Sequence, residues 1–388
     1  MTSVTDVVVI GAGQSGLAAT RALQEHGIEP VVLEAGPEPV GSWPGYYDSL
    51  TLFSPARHSG MPGLGFPGDP DHYPHRDEVV AYLRRYAASL SADIRVNTVV
   101  TAVEHDGRNR FLVRTAAGQA LHAAGVVAAT GSFGTPYVPV LPGKERFTGR
   151  PLHVANYRNP HEYAGERIVV VGAGNSAIQV GYELANVATV TLATRAPFGF
   201  LPQVRGGRDL HYWLERTGFD LLPPEWLARY LGGRTVLDTG KYARALDTGR
   251  MIRRPMFTGF HARGVTWPDG TREQADTVLF ATGYRPSLAY LRSLGALDDD
   301  VPRQVGGISA THPGLVYLGL EFQRSFSSNT LRGVHRDAEH VIPALAAHVR
   351  DAPPSSAAPA TAGTVRNLPV MFDISFVWAG CESRPWRR

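Results

Sequence analysis

Short runs of β-branched residues alternate with stretches whose apolar side chains recur at helical spacing, and this alternation covers most of the chain before residue 351. DVVVI (6–10) predicts a strand, LAATRALQEHG (17–27) a helix with Gly27 as its stop, and PVVLEA (30–35) a second strand. RIVVVGAGNSAIQVGYELANVATVTLATR (167–195) repeats that strand–helix–strand order, and no further copy follows, so the chain carries a duplicated βαβ unit rather than a solenoid. Between the copies, IRVNTVVTAVEHDG, RFLVRTAAG and GVVAATG predict the strands that complete a first domain. From Asp351 to Thr364 the composition shifts to Ala, Pro, Ser and Thr and predicts a linker; residues 365–388 form a tail with no recognisable chemistry.

Each βαβ copy turns on glycines. Gly11, Gly13 and Gly16 stand where a dinucleotide turn needs them: the first for the tight bend, the second for approach of a pyrophosphate, the third for helix–strand packing. Phosphates then lie on the amides and positive dipole end of the helix, beside Gln14 and Ser15. Glu34, 23 residues after Gly11 and followed by Ala35, is placed to hold ribose hydroxyls. In the second copy Gly172, Gly174 and Ala177 fill the same places, and Asn175 and Ser176 open the helix. The residue 23 positions on is Arg195, not an acid. A carboxylate repels a 2′-phosphate and a guanidinium holds one, so the first turn suits FAD or NAD and the second suits NADP.

Composition trims the alternatives. The 388 residues are 43% hydrophobic and 19% charged, a globular balance, and the net charge of +3 is too small and dispersed for a nucleic-acid footprint. No apolar run is long enough to span a bilayer and the opening MTSVTD lacks a leader pattern, so the cytoplasm is expected. Fourteen histidines without HExxH or Cys/His spacing predict no metal. The only cysteine, Cys381, leaves no CxxC pair to receive electrons from a flavin. Two dinucleotide sites point to hydride transfer from a nicotinamide to a flavin, whose electrons must go to dioxygen or to a separate acceptor.

Four further segments resemble those of known families. VVAATG (126–131) and VLFATGYRP (278–286) are similar to the strands that close each nucleotide domain in two-dinucleotide flavoproteins, which brings Thr130, Gly131 and Arg285 to the cofactors. Their order implies an α/β fold with an NADP domain inserted into a Rossmann-like FAD domain: FAD domain 1–146 and 284–350, NADP domain 147–283 with a variable insertion at 199–260. FTGRPLHVANYR (147–158) resembles the FxGxxxHxxxY(K/R) fingerprint of flavin-containing monooxygenases, and residues 47–87 are similar to the plant YUCCA-type members.

That resemblance implies an enzyme using FAD, NADPH and dioxygen to oxygenate a small molecule at nitrogen, sulfur or an activated carbonyl through a flavin C4a-(hydro)peroxide. It implies that Ser42 and Trp43 pass the flavin, that Val100 meets the adenine through its backbone, and that His153 has a linker role rather than an acid–base one. Amine- and sulfide-oxidising members carry Leu-x-x-Asn-x-Pro; LTLFSP has Phe53 in place of the asparagine, which favours an apolar or aromatic substrate. A reductase or oxidase without oxygen insertion, and a nucleotide sensor without turnover, are the alternatives. The expected partners are the small molecule and dioxygen, with room for a homo-oligomer.

Overall fold

Strands that are apolar at every position need cover on both faces, and both glycine turns end such strands. The computed structural model describes residues 2–107, 110–224, 226 and 234–352. β1 (Thr2–Ile10) sends Val7 and Val9 into one core and Val8 and Ile10 into another. α1 (Gln14–Glu25) follows the first turn and stops at Gly27, whose φ of +75° is the left-handed conformation that closes helices. Next come β2 (Val31–Leu33), α2 (Arg76–Ser89), β3 (Asp93–Arg95), the β4 (Val100–His105)–β5 (Phe111–Thr115) hairpin and β6 (Ala120–Ala128). β3, β2, β1 and β6 lie side by side and parallel; the hairpin joins β6 antiparallel.

The chain then leaves this sheet to build another. β7 (Arg150–His153), β8 (Arg167–Val171), α3 (Asn175–Leu184), β9 (Thr189–Thr194), α4 (Leu210–Arg216), β10 (Met251–Pro255) and β11 (Thr277–Phe280) follow. The strand order is β10–β9–β8–β11–β7, parallel throughout. In β8, Ile168 and Val170 face one core and Val169 and Val171 another, the same two-sided burial as in β1. β12 (Leu315–Tyr317) returns to the first sheet beside β6, and α5 (Val334–Asp351) packs Val341, Ile342 and Leu345 into the core that holds α1. The outgoing and returning connections meet as a short antiparallel ribbon, Thr135–Pro136 against Tyr284–Arg285.

One boundary differs from the sequence expectation: Asp351 still belongs to α5, because its turn continues the apolar face that covers α1. The rest of the linker, the tail and Cys381 fall in residues 353–388, outside the described residues, as do 225 and 227–233 of the variable insertion. No helix among the described residues is long and apolar enough to cross a membrane.

Candidate active site

Both turns are built by backbone pressed against backbone. Gly11 has a φ of +101°, and a Cβ there would lie 2.8 Å from the Ala129 carbonyl oxygen; Gly172 has a φ of +147°, and a Cβ there would lie 2.4 Å from the Ala281 oxygen. Each Ala-Thr-Gly segment is therefore the wall against which its own turn is folded, which explains why they occur in matched pairs. Gly16 has no room either, since a Cβ would come within 1.8 Å of the Gly11 oxygen. Gly174 is different: nothing lies within 4 Å of where its side chain would be. Close packing demands Gly11, Gly16 and Gly172, whereas at Gly174 the open space itself is the feature, and it lies at the start of α3.

α1 and α3 begin alike. Gly13 and Gly174 are the N-cap residues, no side chain caps either helix, and neither first turn contains an acid. The unsatisfied amides and the positive dipole end fit an anionic group such as a pyrophosphate. Ser15 is buried and Gln14 fixed: Trp43 Nε1 donates to Gln14 Oε1 at 2.8 Å, and Gln14 Nε2 donates to the Asn329 carbonyl at 3.2 Å. Gly319, which the sequence reading missed, lies directly over Ser15, since a Cβ there would come 1.9 Å from the serine oxygen.

Glu34 follows β2 directly, with 7% exposure. Ala12 N–H donates to its Oε2 at 2.6 Å and Gly36 N–H to its Oε1 at 2.8 Å, so the carboxylate also ties the glycine turn to the next loop. Each oxygen keeps a second lone pair for a ribose hydroxyl. Ala35 is exposed beside it, and Val100 opens β4 just past Thr98, whose N–H donates to the Glu34 carbonyl at 2.7 Å. Arg195 is exposed immediately after β9, on the second turn's side. Asn175 and Ser176, at the start of α3, are half-buried. Gly131 has a φ of +70° and Thr130 Oγ1 donates to the Ser287 carbonyl at 3.2 Å.

The loop from Val40 to Pro55 touches both helices. Trp43 holds α1 through Gln14; Tyr47 donates to Gln179 Oε1 at 2.5 Å and Ser49 to Glu183 Oε2 at 2.8 Å, both on α3. Ser42 is exposed and pairs with the Tyr46 hydroxyl at 2.8 Å. His153 braces the ribbon between the sheets. Its Nδ1 accepts from Ala155 N–H at 3.1 Å, its Nε2 lies 3.0 Å from the Gly283 carbonyl to which it donates, and its ring meets Tyr284 edge-on at 4.9 Å. Both nitrogens are engaged by backbone groups. Arg285 lies over the Tyr137 ring at 4.7 Å, on the same ribbon.

Phe53 stacks on His211, ring centroids 5.9 Å apart and planes 22° from parallel. Asp209 caps α4 and gathers donors: His211 N at 2.8 Å and Nδ1 at 2.7 Å, the Tyr73 hydroxyl at 2.5 Å and Gln203 Nε2 at 2.7 Å, while Gln203 Nε2 also reaches the Phe53 carbonyl. Burial pushes the Asp209 carboxyl up, but the bonds from His211, Tyr73 and Gln203 outweigh it and hold it down at about 2. Farther along, Asp220 is gripped by Arg332 at 2.7 and 3.2 Å, both residues almost wholly buried. Sequence reasoning passed over this network; Asp209 two residues before His211 at a helix start was its one visible signal.

Two uncapped helix starts at the ends of parallel strands, with one loop bonded to the start of α1 and the flank of α3, define a flavoprotein of the two-dinucleotide class. The profile of a family described as pyridine nucleotide-disulphide oxidoreductase matches residues 8–215. The indole-3-pyruvate monooxygenase YUCCA1 of Oryza sativa subsp. japonica is 33% identical over 76% of this chain and 81% of its own. An uncharacterized CzcO-like oxidoreductase of Geobacillus kaustophilus is 30% identical over 88% of this chain and 98% of its own. Among solved structures, a flavin-containing monooxygenase from Stenotrophomonas maltophilia superposes with a TM-score of 0.77 at 31% identity, covering 89% of this chain and 99% of that one. The chain belongs to the flavin-containing monooxygenase family and is an NADPH-dependent flavin enzyme with FAD and NADPH as its cofactors.

The His153 brace has a pH signature. Burial, partly opposed by the Gly283 hydrogen bond, holds its pKa below the ordinary 6.5. Its stabilisation is therefore complete above pH 6.5 and declines as the pH falls toward the folded-state value. The urea midpoint should drop between about pH 7 and about pH 5, and drop less in His153→Asn. An equal drop in both proteins would remove His153 from the effect.

Proposed function

We propose that the first turn takes FAD and the second NADPH, and that the enzyme oxygenates a small molecule with an apolar or aromatic body at nitrogen, sulfur or an activated carbonyl. The observation that carries the reading is the loop 40–55, hydrogen-bonded to the start of α1 through Trp43 and to α3 through Tyr47 and Ser49. The loop reaches the first residue of α1 and the flank of α3, at Gln179 and Glu183, and this link between the two helices supports a shared cleft of the kind that hydride transfer requires. Residues 1–146 and 284–350 form the FAD domain in this reading, and 147–283 the NADP domain.

When bound, the flavin supplies the hydride acceptance and oxygen activation; the protein binds, orients and excludes water. Gln14, Ser15 and the amides of α1 hold one pyrophosphate, Glu34 the adenosine ribose, and Thr130 and Gly131 line its far side. Asn175, Ser176 and the amides of α3 hold the other, with Arg195 on the 2′-phosphate. The balance is substrate, dioxygen, NADPH and a proton in; oxygenated product, NADP+ and water out. The rice relative's name contains an aromatic 2-oxo acid, and Phe53 offers an aromatic surface, so indole-3-pyruvate heads the substrates to test, with amine and sulfide comparators.

Incubation with NADPH, isotopically labelled dioxygen and these substrates should yield a product carrying one labelled oxygen per NADPH consumed. NADPH oxidation that yields only hydrogen peroxide with every substrate would favour the reductase or oxidase alternative. Arg195→Ala should raise the KM for NADPH by a factor matching the loss of about 1.5–3 kcal/mol, with little change for NADH. Equal changes for both would show that Arg195 does not read the 2′-phosphate.

A further inference from the structure

Gly206 and Gly207 have φ of +58° and +70°, the left-handed pair that a two-residue hairpin turn needs, and they join Val204–Arg205 to Arg208–Asp209. Arg205 and Arg208 stand directly opposite each other in that hairpin. Like charges at opposed positions destabilise a strand pair, and neither guanidinium has a carboxylate partner among the described residues. The chain continues into α4, which buries His211 and Leu214 and turns Tyr212, Trp213 and Arg216 outward, with 212 and 213 one turn from 216 on the same face. Arg216 also lacks a carboxylate partner among the described residues, and the helix's only acid, Glu215, is held by His58 at 3.0 Å. Hairpin and helix form one surface. Trp213 Nε1 donates to the Arg205 carbonyl at 3.0 Å, and a Cβ at Gly206 would lie 3.7 Å from the Trp213 ring. The Arg208 guanidinium is 5.2 Å from the Tyr212 ring centre, and the Tyr212 and Trp213 rings meet edge-on at 5.1 Å. Val204, Tyr212 and Trp213 nevertheless remain 54%, 36% and 38% exposed. Gln203, bonded to the Phe53 carbonyl, and Asp209, bonded to the Tyr73 hydroxyl, fix this surface to the body of the protein.

We propose that the hairpin 204–209 and the outer face of α4 form a docking surface for a membrane that carries anionic lipids. Arg205, Arg208 and Arg216 lie at the headgroup phosphates, whose charge relieves the opposed pair in the hairpin, while Val204, Tyr212 and Trp213 enter the interfacial layer. The Trp213 N–H is already bonded within the protein, so its ring enters that layer without an unsatisfied donor. Aromatic rings set among a few arginines fit a lipid surface, whereas a nucleic acid is held by a longer track of cations. A short hairpin and two turns of helix lie on a membrane rather than cross it, so the attachment is reversible and sensitive to salt. The docking is independent of the reaction that the enzyme performs.

The test is co-sedimentation of the FAD-loaded protein with vesicles of phosphatidylcholine alone or with about one-third phosphatidylglycerol, at low and at high ionic strength. The wild type should bind the anionic vesicles at least about tenfold more tightly and release them at high salt. Arg205→Gln/Arg208→Gln and Trp213→Ala should each weaken that binding about tenfold, and Trp213→Phe should keep most of it. Arg146→Gln/Arg272→Gln removes the same charge from other exposed positions and should bind as the wild type does. FAD content and NADPH oxidation report whether each variant is folded. No preference for the anionic vesicles, no binding to either kind, an equal loss in the two double variants, or unchanged binding by Trp213→Ala would overturn the proposal. So would binding to a single-stranded oligonucleotide, or self-association, that depends on Arg205 and Arg208 while vesicles are ignored.

Discussion

The contact on which the rest of the molecule depends is the one between each nucleotide turn and the Ala-Thr-Gly segment behind it. Gly11 rests on Ala129 and Gly172 on Ala281 with no space for a side chain between them. That contact carries each strand end straight into a helix whose first turn no side chain caps. It also ties the exits of β6 and β11 to the turns, and those exits lead into the paired connections. A single backbone constraint, used twice, thus places both uncapped helix starts and the passage between the sheets. The His153 brace and the ribbon of Thr135–Pro136 with Tyr284–Arg285 hold that passage.

Between the seats, function falls to segments with little regular structure. The loop 40–55 is short of secondary structure because its polar groups are committed across the molecule, to Gln14, Gln179, Glu183 and Arg158. The segment 203–221 behaves likewise, bonding to Phe53, Tyr73 and Arg332.

The sheets, the glycine turns and the helix starts that follow them were legible in the sequence for a local reason. Glycine spacing, the apolar runs of β1 and β8, and the counts to Glu34 and Arg195 all act within a single βαβ unit, where a few neighbouring residues decide the geometry. The return of β12 to the first sheet followed from the order of the motifs. What was not legible depends on pairs far apart in the chain: Tyr47 with Gln179, Ser15 with Gly319, Asp220 with Arg332. No period or spacing encodes them, and a buried histidine such as His211 looks the same in a string of letters as an exposed one. Phe53 was noticed by its departure from a family pattern, but its partner could be found only in space.

The central claim is that the two turns do separate work, and Gly174 allows a direct test because the protein leaves space for a side chain there. Gly174→Val should fold and hold FAD, since the first turn is untouched, while the new methyl groups occupy the pyrophosphate's approach to α3. The measurement is anaerobic flavin reduction by NADPH followed by absorbance, with dithionite as a control for a competent flavin. The account predicts a yellow protein with normal FAD content that dithionite bleaches and NADPH does not. A variant that NADPH reduces at the wild-type rate would contradict it.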